Sequence, residues 1–228
     1  MNISGLQKIT LLDYPEHVAC TVFLGGCNFR CPFCYNSSLL SVNESSAIIT
    51  EEEFFTFLKS RIGKLDGVAI TGGEPLLQKN LKSFIAKIKD LGFKVKLDTN
   101  GSFPENLKTL IDENLIDYVA MDIKNCFEKY HLTTNSNVNL DSIKKSIQIL
   151  LSNKIDYEFR TTIVKEFHDL ADFDKIGKII KGAKRYFIQS YQDKDSVLEH
   201  LHSMSKEELL EGLKIVQQYV PNAKIRGV

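Results

Sequence analysis

Short runs rich in β-branched and aromatic residues alternate along the chain with stretches whose apolar positions recur three and four residues apart. The runs VACTVFL (18–24), GVAIT (67–71), FKVKLDT (93–99), DYVAMDI (117–123), YEFRTTIV (157–164) and RYFIQS (185–190) have the length and composition of strands. Leu77, Leu81, Phe84, Ile85, Ile88 and Leu91 fall on one helical face, since about 3.6 residues per turn stacks positions three and four apart. Thr50 with Glu53 and Ser205 with Glu208 have the spacing of capping boxes, so helices are predicted to start there. Further helices are expected over about 140–151 and about 171–180, the second stopped by Gly182.

Each strand run is followed by a helical pattern, which implies right-handed parallel βαβ units. No Gly/Ser or charged linker, internal repeat or low-complexity tract interrupts the 228 residues, so a single domain over 1–228 is expected. The sheet is either open and doubly wound or part of a barrel. Both place ligand sites at the carboxyl ends of the strands. The polar motifs follow that rule. A cysteine loop follows the first run, TGGEP (71–75) the second, DTNG ends the third, and DIKN ends the fourth. Arg160 and Gln189 sit on or near the ends of the last two.

Charge narrows the classes. Lys plus Arg equals Asp plus Glu at 29 each, so the basic excess of a nucleic-acid binder is missing. The apolar runs are too short to span a membrane. The start, MNISGLQKITLLDYPEH, is broken by Asp, Pro and Glu before any leader-like apolar run develops. Five cysteines is an odd count for a disulfide framework, which points to a reducing cytoplasm and to metal or redox chemistry.

Cys27, Cys31 and Cys34 lie within GGCNFRCPFCYN (25–36) and can bring three thiolates around one small centre. A structural zinc site normally closes with four protein ligands, and most iron–sulfur clusters also take four. Cys20 sits mid-strand and Cys126 far along the chain, so neither supplies the fourth. Three ligands leave one metal position open, which ranks a site-differentiated [4Fe–4S] cluster above zinc.

CxxxCxxC with Phe33 before its last cysteine resembles the radical S-adenosylmethionine (SAM) superfamily. TGGEP, LDTNG (97–101) and MDIKN (121–125) are similar to the matching segments of its glycyl-radical-enzyme activases. The opening GLQKITLLDYPEHVACTVFLGGCNFRCPFCYN is especially similar to anaerobic ribonucleoside-triphosphate reductase activating proteins. The resemblance covers about residues 5–190. The fold then expected is an α/β partial (β/α)6 barrel of parallel strands in a single domain.

The resemblance implies that Cys27, Cys31 and Cys34 ligate the cluster and that SAM is the cosubstrate. Gly72 and Gly73 would let the backbone approach SAM, Glu74 would accept from its ammonium, and Lys124 would offset its carboxylate. Asp98, Thr99 and Asp122 match positions that bind a monovalent cation in related activases. Phe33, Tyr35, Asn100, Arg160 and Gln189 are further candidates for cofactor contacts. The partners implied are a glycyl-radical enzyme and a flavodoxin or ferredoxin as electron donor.

Plainer readings stand beside these. Gly-Gly after a strand is commonly a tight turn, and Asp98 or Asp122 could cap helices. Lys124 could be solvated, Arg160 could pair with Glu158, and Gln189 could be structural. Phe33 and Tyr35 could shield the cluster. His17, His131, His168, His200 and His202 read as surface or loop residues, and Cys20 and Cys126 as packing. CYN in place of the activases' CHN, with a Ser-rich loop after it, leaves the substrate open. The alternatives to an activase are a radical SAM enzyme acting on a small molecule or peptide, and a zinc-binding module.

Overall fold

The computed structural model describes residues 1–40 and 48–227, so part of the Ser-rich loop after Cys34 lies outside the described residues. The chain divides into two compact units. The first comprises Met1–Asn28, Ser38–Thr99 and Phe103–Val119, and the second Phe29–Ser37, Asn100–Ser102 and Ala120–Val228.

The first unit holds β1 (Ile3–Thr10), β2 (Ala19–Leu24), α1 (Glu51–Lys59), β3 (Gly67–Gly72), α2 (Leu81–Asp90), β4 (Lys94–Thr99), α3 (Pro104–Asp112) and the first residues of β5 (Tyr118–Asp122). β2, β3 and β4 pair in parallel, while β1 adds an antiparallel strand beside β2. In this register Thr21, Ala69 and Lys96 stand side by side, and so do Val22, Ile70 and Leu97. Side chains alternate across a strand, so the two rows occupy opposite faces. The apolar row is fully buried, as are Ile85 and Ile88 of α2, which packs on β4. Each such side chain contributes roughly 1.5–3 kcal/mol of burial. Asp117 ties the start of β5 to β4: its N–H donates to the Val95 carbonyl at 2.8 Å, and its Oδ2 accepts from the Val95 N–H at 2.7 Å.

The second unit holds the end of β5, α4 (Tyr130–Thr134), α5 (Leu140–Leu151), β6 (Asp156–Ile163), α6 (Leu170–Ile179), β7 (Tyr186–Ser190), α7 (Lys206–Gln217) and β8 (Lys224–Arg226). β6, β7 and β8 run parallel. The Ile123 N–H, just past β5, donates to the Arg160 carbonyl on β6 at 2.8 Å.

The α/β class holds, and the six expected strands form within a residue or so of their expected bounds. The capping boxes at Thr50 and Ser205 are both made, and α5 spans the expected 140–151. The helix expected from Leu77 starts only at Leu81, because Pro75 first turns Pro75–Leu77 into a short 3₁₀ segment. Leu77 is 42% exposed and leaves the core face. β1 and β8 were not legible: Gly5, Gln7 and Lys8 interrupt alternation in one, and the other has three residues. None of the described helices is long and apolar enough to cross a membrane.

Candidate functional site

In the first unit the chain leaves β2 through Gly25 and Gly26 to Cys27. The Gly25 carbonyl accepts from the Gln78 amide at 2.7 Å, and the Gly26 N–H donates to the Leu39 carbonyl at 2.7 Å. The turn after β3 is wedged against this segment. Gly73 N–H donates to the Leu24 carbonyl and Glu74 N–H to the Gly26 carbonyl, both at 2.8 Å. Gly72 takes φ +124°, and a Cβ on it would stand 2.2 Å from the Leu24 oxygen. A Cβ on Gly73 would stand 2.0 Å from the Gly26 oxygen and 3.2 Å from the Cys27 Cβ. The Gly-Gly pair is therefore more than a tight βα turn, since it fixes where the first cysteine's backbone lies.

Glu74 is fully buried. Its Oε1 accepts from the Leu76 N–H at 3.0 Å and the Thr99 hydroxyl at 2.8 Å. These bonds give the carboxylate a local task, ordering the turn and capping the 3₁₀ segment. Asp98 lies on β4 rather than at a helix start, and the Lys96 ammonium donates to its Oδ1. Sequence reasoning passed over Lys96. The period of two already put it on the Asp98 face.

In the second unit Cys31 and Cys34 occupy a turn in which the Cys34 N–H donates to the Cys31 carbonyl at 3.1 Å. That turn is anchored on both sides: Arg30 N–H donates to the Thr134 carbonyl and Glu199 N–H to the Pro32 carbonyl, each at 3.0 Å. Phe33 is buried, its ring 6.1 Å from that of Phe167. Tyr35 stacks on Tyr191 at 6.0 Å, and its hydroxyl accepts from the Gln192 N–H at 2.8 Å. Burial pushes the Cys34 thiol up, against the pull of the Asn36 backbone and the Lys124 charge.

Past β5, Asp122 gathers two cations, with Arg160 Nε on its Oδ1 at 2.9 Å and Lys124 Nζ on its Oδ2 at 3.0 Å. Burial alone would raise its pKa, but the Arg160 and Lys124 charges outweigh that and hold it at about 2. Burial likewise works against the Lys124 charge, and Asp122 overrides it, raising the lysine above its ordinary value. Arg160 thus chooses Asp122, while Glu158 pairs with Arg226 at 3.0 Å. The backbone of Lys124 is held from both sides. Its N–H donates to the Tyr130 hydroxyl at 3.3 Å, and its carbonyl accepts from His168 Nε2 at 3.0 Å.

His168 stands in a loop as expected, but it is 3% exposed and inside this network, because the Val164 and Lys124 backbones need its ring nitrogens. Tyr130 and His168 carried no motif that could have found them. Asn100 is buried and accepts from the Ser102 N–H at 2.9 Å, an Asx turn. Gln189 lies within β7 opposite Thr162 and Arg226. Cys20 and Cys126 are fully buried, and burial pushes their thiols up to about 12 and about 11. Cys126 also donates to Asp172 Oδ1 at 3.3 Å.

Among the described residues no three His, Cys, Asp or Glu side chains converge as on a single metal ion. A cubane does not ask for that, since its cysteines bind different irons. The donor set fits such a cluster: three cysteines outside any disulfide on one short loop, and beside Cys27 a turn that a Cβ would fill.

Comparison with known proteins agrees with this geometry. The sequence model of the Radical SAM superfamily matches residues 21–180. A Methanocaldococcus jannaschii protein provisionally named a glycyl-radical enzyme activating enzyme is 37% identical, over 99% of this chain and 96% of its own. Among solved structures, a radical SAM methyltransferase from Sphaerobacter thermophilus superposes with a TM-score of 0.74 at 13% identity, over 96% of this chain and 68% of that one. A domain of the pyruvate-formate lyase-activating enzyme from Bacteroides vulgatus gives 0.59 at 19% identity, over 71% of this chain and 99% of that one.

Proposed function

From the premise that the chain belongs to the radical SAM superfamily, and within it to the glycyl-radical enzyme activating family, we propose that it generates the glycyl radical of the anaerobic ribonucleoside-triphosphate reductase of its own organism. The chain is a radical SAM oxidoreductase that uses one [4Fe–4S] cluster and SAM. The observation that carries the reaction class is the seating of the Gly72–Gly73–Glu74 turn against the Leu24 and Gly26 backbone that leads into Cys27. The choice of partner is supported by the likeness of residues 5–36 to reductase activating proteins.

Cys27, Cys31 and Cys34 would hold the cluster through three of its irons and leave the fourth open to SAM. The chemistry such a cluster supplies when bound and reduced is one electron for the reductive cleavage of SAM. The protein's part is placement. Glu74 orders the turn, whose Cβ-free backbone would let SAM approach, and Lys124, its backbone held by Tyr130 and His168, would offset the methionine carboxylate. Phe33 and Tyr35 give the cysteine loop an aromatic flank that limits water. The partner's glycine Cα would give its hydrogen atom to the 5′-deoxyadenosyl group derived from SAM, leaving a glycyl radical on the partner and 5′-deoxyadenosine as product. A flavodoxin or ferredoxin in a reducing cytoplasm supplies the electron.

The test mixes the reduced, reconstituted protein with SAM and the reductase. A glycine-centred doublet in electron paramagnetic resonance is expected, and deuterium on that glycine should appear in 5′-deoxyadenosine. No doublet with any glycyl-radical enzyme of the host, together with faster SAM cleavage on adding a metabolite extract, would move the substrate to a small molecule.

A further inference from the structure

The resemblance to activases places a monovalent metal cation on Asp98, Thr99 and Asp122, yet the structure gives each of these groups another partner. We propose that this chain supplies the cation itself: the Lys96 ammonium, carried on the same strand face as Asp98, takes the place of the metal ion. The inference rests on the radical SAM reading above.

Lys96 precedes Asp98 by two positions on β4, so both side chains leave the same face. The Lys96 side chain is 2% exposed and its Nζ donates to Asp98 Oδ1. The register explains how a long side chain fits. Its neighbour across β3 is Ala69, whose single methyl leaves space beside the lysine stem. The Thr99 hydroxyl, the second expected ligand, donates to Glu74 Oε1 at 2.8 Å. In the second unit Asp122, the third, already binds Lys124 and Arg160.

A buried ammonium is a weak way to stabilise a fold, since apolar replacements of buried ion pairs are often neutral or better. Its presence in a row of site residues is better explained by the charge it delivers. A tethered ammonium two residues away also has a high effective concentration at Asp98, which a dissolved metal ion must overcome. The charge that a bound potassium would bring is thus present permanently, and SAM meets it without an ion having to bind first.

The experiment measures ion uptake and SAM affinity separately. Wild-type protein, dialysed against rubidium chloride and counted by atomic emission, should retain no stoichiometric rubidium. Its SAM affinity, measured by calorimetry on the reconstituted protein, should agree within about twofold between potassium and choline buffers. Lys96→Met keeps the stem and deletes the charge. It should take up about one rubidium per chain and bind SAM at least tenfold more weakly in choline than in potassium. Lys96→Arg, which keeps a cation on Asp98, should stay ion-independent and serves if the Met variant does not fold. One rubidium per wild-type chain, removed by Asp98→Asn, would overturn the proposal. So would a tenfold gain in wild-type SAM affinity on adding potassium, or a folded Lys96→Met that takes up no ion. Wild-type protein that binds no SAM in either buffer would instead sink the functional reading, and rubidium uptake would still decide the cation.

Discussion

Replacing Gly73 with Ala adds one methyl at the point where two strand-end loops meet. The new Cβ would stand 2.0 Å from the Gly26 oxygen, 2.6 Å from its carbonyl carbon and 3.2 Å from the Cys27 Cβ. The obstacle is backbone, so no rotamer change relieves it. The Gly26–Cys27 segment has to retreat by on the order of 1 Å to reach van der Waals separation. Overpacking of this kind costs about 1–3 kcal/mol. The same shift weakens the Glu74 N–H bond to the Gly26 carbonyl, now 2.8 Å, which contributes about 0.5–1.5 kcal/mol more. A total of about 2–4 kcal/mol should lower Tm by roughly 5–15 °C in a chain of this size. Gly63→Ala is the control. Gly63 also sits in a turn, at φ +74°, but nothing lies within 4 Å of its added Cβ. Its cost is conformational alone, about 1–2 kcal/mol. Stability ranges overlap, so iron content is the deciding assay. After anaerobic reconstitution Gly63→Ala should load as wild type does, and Gly73→Ala should lose most of its iron because Cys27 has moved. Full loading and an unchanged Tm in Gly73→Ala would refute the claim that this turn positions the cysteine.

Two further outcomes are expected. Reconstituted wild type should carry about four irons and four sulfides per chain, the content of one cubane. Cys27→Ala, Cys31→Ala and Cys34→Ala should each lose it, whereas Cys20→Ala and Cys126→Ala should keep it. The second outcome concerns acid. Asp122 has its pKa lowered to about 2 from the ordinary 3.8, so its ion pairs contribute fully above about pH 4 and fade as pH falls toward 2. Lowering this pKa from 3.8 to about 2 corresponds to roughly 2 kcal/mol, and less in practice because the side chain is 28% exposed. Urea melts of wild type should therefore lose more stability between pH 5 and pH 2.5 than those of Asp122→Asn, and equal slopes would contradict the network.

The sequence by itself determined the local elements and the metal chemistry. α5, expected over about 140–151, was legible because its apolar residues keep helical period, and the capping boxes at Thr50 and Ser205 are three-residue relations that need no tertiary context. The three cysteines likewise lie within one loop, so their spacing alone announces them. Tertiary structure decided the partners. Arg160 could as well have paired with Glu158, two positions away. It instead meets Asp122, 38 residues earlier, because β6 lies beside the end of β5. His168 reaches the Lys124 carbonyl across 44 residues, and no periodicity encodes that distance. The Thr99 hydroxyl donates to Glu74 across 25 residues, a bond that exists only because β3 and β4 pair. Lys96 lies between these cases. Alternation gave its face, but only the neighbouring Ala69, set by the β3–β4 register, shows how a lysine can lie buried there with its charge on Asp98. Period and capping act over a few residues and are written in sequence, whereas register joins residues far apart and exists only once the strands have paired.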